Sequence, residues 1–279
     1  MSDRAGLRVG VQFHPQHTSV ADLRRAWRAA DEAGVDSMWV WDHFFPLYGE
    51  GQPYLWPPQG SPEGRHYESW SLLAAMAADT RHARVGVLIT NIHFRNPDLV
   101  ADMARTVDHL SGGRAVLGVG AGNIERDFRE YGYEFGPDRD RLSALEAGIE
   151  RIKRRLAALE PGPLGPLPLL IGGSGQQVTL RLVAEHADMW NSFGPPAEYA
   201  RQNAVLNEWC RRAGRDPAAI ERTVLLDVAE EAADLQGFAE AGAEHIILGC
   251  GHPFDLGPVR ELQAAAAAIR LPGRQDATA

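Results

Sequence analysis

The apolar positions of this chain come in two alternating rhythms. Short, nearly unbroken apolar runs of strand length are followed by stretches in which apolar residues recur every three or four positions. Leu7–Phe13 is the first run, and Val20–Ala33 the first helical stretch, with Leu23, Trp27, Ala30 and Ala33 on one face and a stop at Gly34. Strands are then predicted at Ser37–Trp41, Ala83–Thr90, Arg114–Val119, Leu169–Ile171, Asp188–Ser192, Thr223–Val228 and His245–Leu248. Helices are predicted at Glu68–Thr80, Pro97–Leu110, Asp138–Leu159, Gln177–Glu185, Pro196–Ala213, Glu230–Ala241 and Phe254–Ile269. Pro97 sits where helices accept proline, near the first turn. Continuous apolar runs are buried on both faces, and strands alternating with helices give right-handed crossovers and a parallel sheet. Eight such units in 279 residues match a (β/α)8 barrel, which takes about 250. A doubly wound open sheet is the alternative. Residues 1–272 read as a single barrel domain and 273–279 as a polar, frayed tail.

Composition narrows the function. The net charge of −9 lacks the basic footprint of nucleic-acid binding. Two cysteines, Cys210 and Cys250, make no disulfide framework, and a reducing cytoplasm fits. The N-terminus has no apolar signal core, and no apolar run reaches the ~18 residues of a membrane span. A soluble cytoplasmic protein acting on a small molecule is expected.

Active sites of parallel barrels lie just past the strands' C-terminal ends. His14 follows the first strand. Asp42, His43, Phe44 and Phe45 follow the second. Asn91, Ile92, His93 and Arg95 surround the end of the third. Gly120, Gly122 and Asn123 follow the fourth, Gly172, Gly173, Ser174 and Gly175 the fifth, and Phe193 the sixth. Two readings fit the glycine clusters: tight turns with a Ser cap, or close backbone approach to an anionic group at a helix start. Asp42 and His43 fit a helix cap beside a packed imidazole, or a pair that binds ligand and moves protons. The long loop from Pro46 to Pro62 carries Tyr48, Tyr54, Leu55 and Trp56. It reads as loop packing, a dimer contact or a lid over a flat, apolar substrate. A zinc site from His14, Asp42, His43 and His93 is geometrically conceivable, but no spacing specific to metals occurs, and no metal is expected.

Four stretches resemble a known family. They are Trp39-Val40-Trp41-Asp42-His43-Phe44, Arg95-Asn96-Pro97, the run from Leu110-Ser111-Gly112-Gly113-Arg114 to Gly118-Val119-Gly120-Ala121-Gly122, and Gly172-Gly173-Ser174-Gly175 through His186–Asn191. The chain resembles the luciferase-like flavin and deazaflavin oxidoreductases, most closely the branch using coenzyme F420. That resemblance implies a (β/α)8 barrel with the cofactor ring in its mouth. It implies a phosphate-bearing tail at Gly173–Gly175 and a non-prolyl cis bulge behind the ring, which aligns with Asn91-Ile92. It implies Asp42 and His43 near the hydride-carrying carbon, Gly120, Gly122, Asn123 and Gly172 around the cofactor, and His14, Phe44, Trp56 and Phe193 toward the substrate. A homodimer is also implied. The expected activity is hydride transfer between the deazaflavin and a small organic substrate, by C=C, C=N or C=O reduction or by alcohol oxidation. An FMN-dependent monooxygenase and a non-catalytic flavin-binding barrel are the alternatives. Some F420 relatives place a proton-donating Glu after the fourth-strand glycines. Asn123 stands there and has no proton to exchange near neutral pH. Glu125 and Asp127 fall out of register, which leaves His43 with the proton chemistry.

Overall fold

A computed structural model describes residues 6–47, 61, 63–226 and 234–271. Its strands form one closed parallel sheet wrapped by helices, the (β/α)8 barrel. In chain order the elements are β1 (Arg8–Phe13), α1 (Val20–Glu32), β2 (Ser37–Val40), α2 (Ser69–Asp79), β3 (Arg84–Val87), β4 (Thr90–Asn91), α3 (Pro97–Ser111), β5 (Ala115–Gly120), α4 (Glu125–Glu130) and α5 (Asp138–Ala158). They continue with β6 (Leu169–Gly172), α6 (Thr179–His186), β7 (Met189–Ser192), α7 (Pro196–Arg212), β8 (Glu221–Leu226), α8 (Leu235–Glu240), β9 (His245–Cys250) and α9 (Gly257–Ala266). The order around the barrel is β3-β2-β1-β9-β8-β7-β6-β5-β4, closed where β3 also pairs with β5.

The third strand differs from expectation. The apolar run at 83–90 is not one strand, because its pairing stops at Val87 and resumes at Thr90. Both pieces lie on β5, Val85 opposite Ala115 and Thr90 opposite Val119. The intervening residues hold a cis peptide bond between Leu88 and Ile89. This corrects the Asn91-Ile92 assignment. The apolar pattern does not register the break, because both bulge residues, Leu88 and Ile89, are as apolar as the strand around them. Strand β8 also starts earlier than expected, α9 is shorter, and the predicted start of α8 lies outside the described residues.

Local signals explain the helix ends. Ser19 accepts from Asp22 N at the start of α1, and Asn96 accepts from Asp98 N at the start of α3, with Pro97 next. Gly34 (φ 75°) and Gly112 (φ 69°) follow α1 and α3 in the left-handed region.

Strand alternation sorts the side chains into two cores. Val9, Val11, Phe13, Met38, Val40, Val85, Val87, Leu117, Val119 and Ile171 face the helices. Trp39, Leu88, Val116, Leu170, Met189 and Ile247 fill the barrel, with Ile89 and Leu225 against them. A polar plug sits on the inward positions of the N-terminal end. Arg84 forks onto Glu221 at 2.8 and 3.0 Å, and His245 Nδ1 lies 2.8 Å from Glu221. Ser37 Oγ lies 2.9 Å from His245 Nε2 and accepts from Trp39 Nε1. That end is filled, so the C-terminal mouth is the end left for chemistry. Among the described residues, no helix is long and apolar enough to cross a membrane.

Candidate active site

Asp42 leaves β2 and is buried, and its carboxylate is fully engaged. Oδ1 accepts from Ser69 Oγ (2.6 Å) and Arg95 Nη2 (2.9 Å). Oδ2 accepts from Asn91 N (3.0 Å) and Arg95 Nη1 (2.7 Å). Glu68 takes a further bond from Arg95 at 2.6 Å and caps α2 by accepting from the amides of Trp70 and Ser71. Four donors on a buried carboxylate leave it no free lone pair directed at a ligand. Asp42 therefore ties the end of β2 to the start of α2 and to the segment after the bulge. The resemblance implies Asp42 near the hydride-carrying carbon; its carboxylate instead holds the strand end, nearer the structural alternative.

His43 has a different partner. Its Nδ1 lies 2.6 Å from Asp127 Oδ2, and Asp127 Oδ1 accepts from the amide of Phe44 at 2.9 Å. Asp127 is 1% exposed and belongs to α4, the short helix after β5. The residue dismissed by register is thus the one that holds His43. Two bonds from adjacent positions on the β2 loop fix both the imidazole and the chain behind it. A carboxylate on Nδ1 makes that nitrogen the N–H donor, which leaves Nε2 to exchange protons. The signal available in the sequence was an acid on an irregular loop one turn beyond the β5 glycines.

Trp41 lies between these residues. Its ring stacks on His14 (centroids 4.2 Å apart, 23° between planes) and meets His43 edge-on at 6.0 Å. Trp41 Nε1 donates to His66 Nε2 at 2.9 Å. Burial pushes His14 down to about 4, and burial foremost does the same to His66, so both are neutral near pH 7.

The bulge makes the floor. Gln12 Nε2 donates to the Leu88 carbonyl at 2.7 Å from inside the barrel. Ile89 lies where three glycines make room for it. A Cβ on Gly120 would come 2.2 Å from Ile89 Cδ1, one on Gly172 2.7 Å, and one on Gly118 3.3 Å from Cγ2. Gly122 (φ 73°) does the same for Asn91, whose Nδ2 would be 2.3 Å from an added Cβ. On sequence alone Gly120, Gly122 and Gly172 fit tight turns or close approach to a ligand, and the resemblance puts them around the cofactor. The space that their missing Cβ atoms open is taken by Ile89 and Asn91. Ile92 is likewise corrected: it packs outward, and a Cβ on Gly148 of α5 would meet its side chain at 2.5 Å.

With that geometry in place, the match to known proteins is clear. Residues 7–277 match the family model for luciferase-like monooxygenases. The chain belongs to that family. It is an enzyme, an oxidoreductase of this family. Over 148 residues, 53% of this chain, it is 30% identical to an F420-dependent glucose-6-phosphate dehydrogenase of Amycolatopsis mediterranei; the match spans 41% of that dehydrogenase. In fold it is similar to an F420-dependent secondary alcohol dehydrogenase solved with an F420–acetone adduct (TM-score 0.79, 18% identity, 95% of this chain and 99% of that one). It is also similar to the FMN-bound oxygenating component of the 3,6-diketocamphane monooxygenase of Pseudomonas putida (TM-score 0.72, 14% identity, 96% and 99%).

Features of the luciferase-like site fit a planar cofactor with an anionic tail. Ile89, packed against the apolar side chains inside the barrel, gives an apolar backing. The turn after β6 needs glycine at position 173 (φ 124°), held by Trp190 Nε1 donating to its carbonyl at 2.9 Å. Ser174, Gly175, Gln176 and Gln177 are exposed there, and α6 starts without a side-chain cap. The exposed backbone of that turn, ahead of α6, suits a phosphate. Of the remaining predicted positions, Phe44 stacks on Tyr131 (3.9 Å) and lies tilted against Phe94 (4.4 Å). Phe193 follows β7 and is half-buried, and Asn123 is exposed beyond β5. Trp56 and most of its loop lie outside the described residues. Among the described residues, no group of three His, Cys, Asp or Glu side chains could hold a metal ion.

Proposed function

We propose that this enzyme is an F420-dependent oxidoreductase that interconverts a small carbonyl compound and its alcohol, with His43 exchanging the proton. The observation that carries the reading is the His43–Asp127 pair at the mouth. The dehydrogenase relative and the alcohol dehydrogenase fold support it. When bound, the deazaflavin supplies or accepts the hydride.

The chain's own residues do the rest. Asp127 keeps Nδ1 as the donor, so Nε2 is the atom that takes a proton from an alcohol or gives one to a carbonyl oxygen. The buried carboxylate also stabilises the imidazolium form while the proton resides on it. Asp42, Arg95 and Ser69 hold β2 and the bulge in register beneath it. Ile89 excludes water from the floor. The turn at Gly173–Gly175 would hold the tail phosphates.

The test is a pair of fluorescence and absorbance titrations, one with F420 and one with FMN. Saturable binding of F420 with oxidation of its reduced form by ketones is expected. Tight FMN binding without F420 binding would overturn the reading in favour of a monooxygenase, the alternative supported by the fold shared with the diketocamphane enzyme.

A further inference from the structure

His14 carries a feature that the proton chemistry does not use. Strand β1 alternates inward at Gly10 and Gln12, and Phe13 pairs with Val40, both of them facing the helices. The next residues on the two strands, His14 and Trp41, therefore point into the mouth, and their rings stack there. Nε2 of His14 is buried without a hydrogen-bond partner. Its two neighbours around Trp41 are partnered, His43 by Asp127 and His66 by Trp41. A ring needed only for stacking would be served by Phe or Tyr. A buried imidazole nitrogen left unpaired is costly, and the cost disappears when a bound molecule supplies the partner.

We propose that His14 binds a second oxygen of the substrate, so that the site selects hydroxyketones and related two-oxygen compounds over plain ketones. His43 takes the reacting carbonyl oxygen, and His14, one layer deeper on the neighbouring strand, takes the other. The proposal rests on the carbonyl reading above. It is neutral as to direction of hydride flow, because His14 gains and loses no proton. Burial keeps it uncharged at working pH, so its contribution is a neutral hydrogen bond. Selectivity follows from leaving that nitrogen unpaired when the second oxygen is missing, a preference of roughly 10- to 100-fold.

The probes are hydroxyacetone and butanone, which differ by a hydroxyl in place of a methyl. Histidine-labelled enzyme loaded with F420 is followed by nitrogen NMR, with the His14 ring signal assigned by its loss in His14→Phe. Hydroxyacetone is expected to move the His14 Nε2 signal and butanone to leave it in place. His14→Phe, which keeps a ring on Trp41, should weaken hydroxyacetone roughly 10- to 100-fold while sparing butanone and F420 affinity. Movement by F420 alone would make His14 a cofactor contact and overturn the proposal. So would an unmoved signal with both ketones, or equal weakening of both. If His14→Phe fails to fold, His14→Leu supplies both the assignment and the comparison of the two ketones. If FMN binds and F420 does not, the same spectra with FMN judge His14 separately from the choice of cofactor.

Discussion

Asp127→Asn is the sharpest perturbation of the proposed chemistry. The change keeps the shape of a side chain that is 1% exposed and removes its charge. The carboxylate now receives two donors, His43 Nδ1 at 2.6 Å and Phe44 N at 2.9 Å. An amide has one oxygen, and whichever donor keeps it, the other faces N–H groups. The backbone amide cannot rotate away, whereas the imidazole can change tautomer. The oxygen should therefore stay with Phe44, and Nδ1 should become an acceptor facing the new amide. That puts the remaining proton on Nε2 and removes the carboxylate that steadies the imidazolium. A hydrogen bond to a charged group contributes about 1.5–3 kcal/mol. At 1.36 kcal/mol per decade, that is roughly 10- to 100-fold in kcat/KM. His43→Ala, which deletes the proton carrier, should cost ~10²–10⁴-fold. Asp127→Glu should recover part of the loss if it reaches Nδ1. The assay is oxidation of reduced F420 by hydroxyacetone across a pH series, with F420 affinity measured alongside and the His43 tautomer read from ring nitrogen shifts. Unchanged kcat/KM with a flipped tautomer would refute the role given to the pair. Lost activity with an unmoved tautomer and a lowered Tm would reduce Asp127 to a packing residue.

Asp42→Asn breaks a buried fork, with side-chain exposures of 12% for Arg95 and 1% for Asp42. It should destabilise by about 3–5 kcal/mol, read by urea unfolding; a cost under about 1 kcal/mol would show that the pair does not hold the bulge. Gly120→Ala puts a Cβ 2.2 Å from Ile89 Cδ1 and should cost about 1–3 kcal/mol. The penalty should shrink in an Ile89→Ala background, and strict additivity would mean that the glycine serves something other than Ile89. Stability should fall in acid through His14 and His66. Their folded values, about 4, lie below 6.5, so the unfolded chain binds more protons between the two. Their contribution is intact above 6.5 and is lost as pH falls toward 4, up to about 3 kcal/mol each. His66→Gln should flatten that slope in unfolding midpoints across the window, and an unchanged slope would remove His66 from the account.

The barrel was legible in the sequence because its signal is repeated. Most strands bury both faces and read as apolar runs, and some helices carry their own start and stop, such as Ser19 and Gly34 around α1. The break at Leu88–Ile89 was not legible, since both residues are as apolar as the strand they interrupt. Of the candidate site, position was legible: His14 and His43 do lie just past strand ends. The partners were not. Asp127 is 84 positions from His43, and Arg95 is 53 from Asp42. Spacing along the chain says nothing about such pairs, which exist only once the barrel has closed. The glycines were ambiguous for a related reason. A missing Cβ makes space, and the sequence does not say whether a ligand or a neighbouring side chain takes it.

The adjacent Asp42 and His43 divide the work because of strand geometry. Successive residues on an extended chain point opposite ways. His43 continues the inward series of Trp39 and Trp41, while Asp42 turns toward Ser69 and Arg95 at the base of α2. One acid is therefore spent on fixing the strand end, and the imidazole beside it must draw its carboxylate from elsewhere. Asp127 supplies it from α4, four residues past Asn123. In the proposed mechanism the carboxylate therefore stands behind the histidine, where it governs the proton without touching the substrate.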